Sequence, residues 1–266
     1  MSKSLPHWLP SKALIGMIHV PALPGTPMNR LSVSEIIAQC RKEAEIYAEA
    51  GVEVILVENM HDVPYLPREV GPEIIAMMTR CATVVKEASG LPVGIQVLAG
   101  ANMAALAVAQ AAGCDFIRAE GFVFGHVADE GYLNADAGAL LRHRKQIGAE
   151  HISIFTDIKK KHSSHAITSD VDLAETAKAA AFFLSDGLIV TGIATGAPAK
   201  PADVQQVAQA TDLPVLIGSG ISPHNIADYL PWTDAFIVGS WIKQDGNWQR
   251  EPDPRRIKEL KRAIRG

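Results

Sequence analysis

Eight short apolar runs alternate with eight segments of helical period along the 266 residues, and that alternation leaves few folds open. The runs predict strands at about 14–19, 52–59, 93–98, 115–120, 152–157, 187–191, 215–218 and 235–239. Helices are expected at 33–50, 72–89, 103–112, 135–147, 171–184, 201–210, 223–230 and 254–265. Parallel strands joined by helices cross over right-handed, so the pattern closes into a single (β/α)8 barrel or, less economically, an open doubly wound sheet. No linker divides the chain. Residues 1–266 are expected to form one barrel domain, with 1–12 an N-terminal extension.

Local signals agree with this reading. Ser32-Val33-Ser34-Glu35 spells a capping box, and Pro72, Pro201, Pro223 and Pro254 each stand where a first helical turn needs no N–H. The chain also repeats itself. Leu91-Pro92-Val93 returns as Leu213-Pro214-Val215, and the strand entry at Asp115 has its counterpart at Asp234, about half a chain later. Two stacked half-barrels produce such a repeat, although a shared strand-entry pattern accounts for part of it.

Charge and cysteine content narrow the partners. The balance is 25 Lys and Arg against 29 Asp and Glu, with no basic run interleaved with aromatics, so no nucleic acid partner is expected. Cys40, Cys81 and Cys114 have no pairing pattern and read as reduced, buried thiols of a cytoplasmic protein. No stretch approaches eighteen apolar residues, so no direct membrane insertion is expected. Homo-oligomerisation stays open.

Two apolar runs near the end stop at small-residue turns, Gly218-Ser219-Gly220 and Gly239-Ser240. Glycine lets backbone N–H groups approach a ligand without a Cβ in the way. Paired turns after the seventh and eighth strands of a barrel are where that fold holds phosphate. The alternative is a pair of tight turns with no ligand. Ser222-Pro223, directly after the first turn, reads as a helix start.

Side chains alternate along a strand, so the last polar residues of each strand indicate what faces the barrel mouth. These are His19, Glu58 and Asn59, Gln96, Arg118 and Glu120, Asp157 with Lys159 two positions on, and Thr191. Glu58, Glu120 and Asp157 are candidate acid/base groups, with Lys159 and Arg118 as their electrostatic partners. His19, Asn59, Gln96, Arg118 and Thr191 are candidate substrate contacts. Arg118 either pairs with Glu120 or Glu58 or meets an anionic substrate. Asp157 and Lys159 share a face and could hold each other charged. Lys160 and Lys161 read as solvated loop charges, and His126 as part of a lid. The phrase Thr191-Gly192-Ile193-Ala194-Thr195-Gly196 offers further donors. No cofactor is expected: dinucleotide fingerprint, P-loop lysine and nucleophilic triad are all missing. A divalent metal would have only His162, His165 and Asp157, which match no standard zinc spacing.

Together these phrases resemble the BtpA/SgcQ family. The resemblance rests on Gly16-Met17-Ile18-His19 with Leu23-Pro24-Gly25, Val57-Glu58-Asn59 with Asp62, Val97-Leu98 with Asn102, Phe116-Ile117-Arg118, Asp157-Ile158-Lys159 with Lys161-His162, Thr191-Gly192 with Ala194-Thr195-Gly196, Gly218-Ser219-Gly220, and Val238-Gly239-Ser240 with Lys243 and Asp245-Gly246. It implies a ribulose-phosphate-binding-type barrel; in photosynthetic members the family is named for photosystem I biogenesis or stability. The chain departs from the commoner wording at Ala99-Gly100-Ala101 and at Ala119-Glu120-Gly121, which bears on the substrate and not on the scaffold. The expectation is a barrel that binds a small phosphorylated ligand, a sugar phosphate or a nucleotide-derived one, and acts as an isomerase, epimerase, lyase or hydrolase. The other reading is a non-catalytic factor for assembly of a membrane complex, which a large exposed apolar patch on the outer helices would favour.

Overall fold

The computed structural model describes residues 5–192 and 196–266. Eight parallel strands close into a barrel in the order β1-β11-β10-β9-β7-β4-β3-β2. They are β1 (Ala13–His19), β2 (Val54–Glu58), β3 (Val93–Gln96), β4 (Phe116–Ala119), β7 (Ser153–Ile158), β9 (Gly187–Thr191), β10 (Val215–Gly218) and β11 (Ala235–Val238). Around them lie α1 (Val33–Ala50), α2 (Pro72–Ser89), α3 (Asn102–Ala112), α4 (Ala137–Gln146), α5 (Leu173–Phe182), α6 (Pro201–Ala210) and α7 (Pro254–Arg265). The capping box that starts α1 forms as the sequence requires: the Ser32 hydroxyl accepts from the Glu35 N–H, and the Glu35 carboxylate accepts from the Ser32 N–H.

One expected helix is not there. After β10 the chain makes only a 3-10 turn, Ile226–Asp228. Asn225 explains the difference. Its Oδ1 accepts from the Ser222 N–H and its Nδ2 donates to the Gly220 carbonyl, so the side chain closes a local loop around Ser222-Pro223. Every other expected boundary lies within two residues of the observed one.

Three short strands escape the sequence pattern. β5 (His126–Ala128) pairs antiparallel with β6 (Gly131–Leu133) and with β8 (Ser163–Ser164). This small sheet ties the loop after β4 to the loop after β7, above the barrel mouth. Arg68 fixes the same region from below, donating to the carbonyls of Gly100, Glu120, Gly121 and Asn134 and to the Asp136 carboxylate.

Two apolar layers hold the barrel. The larger lies between strands and helices; the smaller fills the barrel's interior floor around Ile15, Met17, Leu56, Phe116, Phe155 and Leu216. Trp8, within the stretch expected as an extension, stacks on Phe116 at 4.6 Å and closes that floor. Gly94 and Gly187 leave the space these rings need, since a Cβ there would stand 2.2 Å from Phe116 and 2.1 Å from Phe155. Among the described residues, no helix is long and apolar enough to cross a membrane.

Candidate active site

Above the aromatic floor, the same inward-facing positions turn polar and open into a cavity of about 620 Å³. One wall is made by Ser219, Gly220, Ser222, Gly239 and Ser240, the turns after β10 and β11. The rest of the lining carries His19, Glu58, Arg118 and Lys161, with His19 directly beside Gly239.

The turn wall is built of backbone donors. Ser219 and Gly220 both adopt positive φ, 77° and 66°. Gly220 also packs so closely under the loop after β9 that a Cβ would stand 2.3 Å from the Pro198 nitrogen. Among the described residues, the N–H groups of Ser219, Gly220, Gly239 and Ser240 find no backbone acceptor. Consecutive N–H groups of this kind form a concavity suited to an anion. Gly218 differs: it faces the barrel interior beside Thr191 and the Arg118 guanidinium and does not line the cavity. Residues 193–195 of the glycine-rich phrase lie outside the described residues.

His19 and Glu58 stand side by side at the ends of β1 and β2. The His19 Nδ1 lies 3.1 Å from the Trp248 carbonyl, an acceptor, so Nδ1 carries the proton and donates. Nε2 is left as the acceptor, 3.8 Å from a Glu58 oxygen. Burial, with the Lys243 charge adding to it, holds the imidazole's pKa well below its ordinary value. The contact is therefore between a neutral imidazole and a carboxyl, not an ion pair. Burial raises the Glu58 pKa, and the charges of Arg118 and Lys161 pull it partly back. Gly239 makes room for the ring, since a Cβ would lie 3.0 Å from His19 Cε1. Lys243 itself is fully buried and paired with Glu43 of α1 at 2.8 Å, anchoring the segment that carries Trp248.

Arg118 does not pair with Glu120 or Glu58. Its Nε and Nη2 donate to the two oxygens of Asp157, each at 3.0 Å, in a buried two-pronged bridge between β4 and β7. Burial opposes the guanidinium charge, but Asp157 and Glu58 outweigh it and raise its pKa. Asp157 thus supports Arg118 from behind the cavity wall.

Glu120 does not line the cavity; it accepts from Gln96 Nε2 at 3.0 Å and lies 3.4 Å from the Lys160 ammonium. Burial raises its pKa. Gln96 Oε1 and Thr191 Oγ1 are buried with no partner among the described residues, two polar atoms that a water or ligand would satisfy.

Three sequence-based assignments are redirected. Lys159 does not join Asp157: its backbone takes a positive φ of 50°, and its ammonium donates to the Val171 carbonyl at 2.5 Å. Asn59 points to the other side of β2 from Glu58, where it donates to Asp62 and accepts from the Leu98 N–H. Lys160 and Lys161 are drawn in from the surface, the first buried and the second half-buried. Lys160 is buried between Glu120 and Glu130, and Lys161 lines the cavity, its pKa lowered by burial and by the Arg118 charge. The loop reverses at Lys159 and again at His162, φ 53°, and so brings Lys161 to the wall where the strand pattern places Lys159. Trp248 also goes unread in the sequence; the turn about Asp245-Gly246 is the only signal that the chain returns to the mouth there.

His126, the lid candidate, is buried in β5 with its ring 5.4 Å from that of His165, which contacts the Lys160 carbonyl. Burial and the His165 and Lys160 charges lower the His126 pKa to about 4. Both Asp157 oxygens accept from Arg118. No group of three or more His, Cys, Asp or Glu side chains that could hold a metal ion occurs among the described residues.

Comparison with known proteins adds three findings. The pattern of the BtpA family matches residues 10–266. An uncharacterised mitochondrial protein of Caenorhabditis elegans is 49% identical over 94% of this chain and 92% of its own. The photosystem I biogenesis protein BtpA of Synechocystis sp. is 31% identical over 94% of this chain and 87% of its own. Among solved structures, orotidine 5′-phosphate decarboxylase from Pyrococcus horikoshii superposes with a TM-score of 0.58 at 15% identity, over 95% of this chain and 99% of that one, a likeness of fold.

Proposed function

The chain belongs to the BtpA family, and on that premise we propose that its barrel is an enzyme site for a small phosphorylated ligand. The phosphate would rest on the N–H groups of Ser219, Gly220, Gly239 and Ser240, with Arg118 and Lys161 as cationic neighbours. The observation that carries this reading is the shared lining: backbone donors that find no backbone acceptor among the described residues, a neutral imidazole and a raised carboxyl in one cavity. The solved barrel of similar fold is named for a phosphate ester, which agrees with the reading.

The chemistry follows from proton affinities. His19 Nε2 is a bare base held in orientation by the Trp248 carbonyl, and Glu58 is a carboxyl whose burial favours its protonated form. At 3.8 Å the two leave no room for a water flanked between them, so both act on one face of the substrate. Inverting glycoside hydrolysis needs acid and base about 6.5–9.5 Å apart. Proton transfer between neighbouring atoms, as in isomerisation, epimerisation or elimination, suits the pair better. Arg118, held by Asp157, would stabilise negative charge that develops on the substrate.

The test is ligand stabilisation of the purified protein by inorganic phosphate, ribose 5-phosphate and other phosphorylated sugars and nucleotides. Ser240→Asp, which sets a carboxylate in the donor wall, is expected to weaken every phosphorylated ligand at least about tenfold. Unchanged affinity would remove the wall from the site.

A second reading is favoured by a specific feature of the surface. Phe182, Phe183 and Leu184, at the end of α5, are 81%, 47% and 67% exposed. Such a patch suits a protein partner, in line with the name of the Synechocystis relative. Phe182→Ser with Leu184→Ser should abolish the cellular role and leave ligand binding intact if assembly is the function. Ser240→Asp should do the reverse.

A further inference from the structure

Beside the main cavity lies a groove of about 410 Å³ that the phosphate-site reading does not use. It is framed by the loop after β1, the loop after β2 and the segment that returns after β11. Met60 and Trp248 line both spaces, so the groove adjoins the cavity at the end where His19 and Glu58 stand. Its other walls include Met28, His61 and Tyr65, a set of thioether and aromatic surfaces. The Trp248 ring is positioned from both sides: the His61 ring lies 4.8 Å away on the groove side, and the His19 ring 5.4 Å away and perpendicular on the cavity side.

We propose that this groove receives a flat aromatic ring belonging to the ligand whose phosphate occupies the donor wall, so that the ligand is nucleotide-like rather than a bare sugar phosphate. The inference rests on the phosphate-site reading for its anchor, and on the groove's own lining for the ring. A sugar phosphate presents mainly hydroxyls, and its small C–H face covers little of Met28, Met60 and Tyr65. A heterocycle does, and aromatic and sulfur-bearing walls are what a π-face packs against. A ligand that reaches from the β10–β11 turns to this groove passes directly over His19 Nε2 and Glu58, which places its central atoms at the proton-transferring pair. Because the Trp248 carbonyl also orients His19, the ring and the base share one support.

The experiment is calorimetric titration of the full chain with inorganic phosphate, ribose 5-phosphate, the four common ribonucleoside monophosphates and the matching nucleosides. At least one monophosphate is expected to bind roughly tenfold tighter than ribose 5-phosphate, the gain a stacked base supplies. Met28→Asp should erase that gain and leave ribose 5-phosphate unchanged; Met28 is 54% exposed, and an unaltered melting temperature would show that the variant folds. Equal binding with and without the base, or a gain that survives Met28→Asp, overturns the groove assignment. Weak binding of both phosphate and ribose 5-phosphate would instead overturn the donor wall. The groove would then stand only if a nucleoside still bound in a Met28→Asp-sensitive way.

Discussion

The floor and the mouth of this barrel are built from the same strands, two residues apart. On β4 the inward residue is Phe116 and then Arg118; on β7 it is Phe155 and then Asp157; on β1 it is Met17 and then His19. At the floor the rings of Trp8, Phe116 and Phe155 interlock without a titratable group among them. One layer higher the interior is charged, with Arg118 tied to Asp157 and Lys160 to Glu120 and Glu130. The floor can be close-packed because its groups are interchangeable by shape. The mouth can be polar because pairing offsets desolvation, and its free energy depends on which partner stands opposite.

Truncating the floor should have the largest effect. Phe116→Ala removes the ring that Trp8 stacks on and leaves a hole that the barrel cannot close; it is expected to lose about 3–5 kcal/mol in denaturant unfolding. A loss below 1 kcal/mol would mean that the floor is dispensable, and the contrast would fail.

At the mouth, Asp157→Asn leaves the Arg118 guanidinium buried against a neutral amide, an expected loss of about 3 kcal/mol. Replacing both partners, Arg118→Met with Asp157→Leu, should recover a substantial part of that stability. A single variant that melts like the wild type would show that the pair does not hold β4 to β7.

Gly239→Ala tests the smaller tolerances of the mouth. The added methyl lies 3.0 Å from His19 Cε1, so the ring must shift, at an expected cost of about 1–2 kcal/mol. The shift should appear in the His19 imidazole NMR signals, while the floor's aromatic signals stay in place.

The mildest effect is a slope. His19 and His126 are held neutral in the fold, their pKa values below the ordinary 6.5 and that of His126 at about 4. Between about pH 6.5 and 4 the unfolded chain binds protons that the folded chain does not, so these groups make stability fall as pH falls. Glu58 and Glu120, whose pKa values are raised, act oppositely: their contribution is present below the ordinary carboxylate range and is lost as pH rises through their folded values. The informative measurement is therefore a difference. His126→Gln should flatten the acid-side decline relative to the wild type, whereas Phe116→Ala should lower the whole curve without changing its slope. Parallel curves for His126→Gln would sever the pH dependence from this histidine.

Much of the candidate site is legible in the sequence, but unevenly. His19, Glu58, Gln96, Arg118, Asp157 and Thr191 can be read because a strand offers only two faces and the floor residues two positions earlier declare which is inward. The turns after β10 and β11 can be read because glycine and serine break both strands in the same way. The groups that arrive from loops are less visible. Lys159 and Lys161 differ by two positions, and the backbone reversals at Lys159 and His162 go with Lys161 being the one that lines the cavity. Trp248 arrives from a segment of no regular period.

The sequence by itself determined the barrel, the polar layer at its mouth and the small-residue turns beside it. All of these follow from local alternation and backbone permissiveness, which neighbouring residues settle among themselves. Only the tertiary structure decided that Arg118 pairs across to Asp157, that Asn225 replaces a helix with a 3-10 turn, and that Trp248 supports His19 from more than two hundred residues away. Those choices depend on how closed strands and returning loops bring distant groups within hydrogen-bonding reach, and interactions that act over about 3 Å leave no periodic trace in the chain.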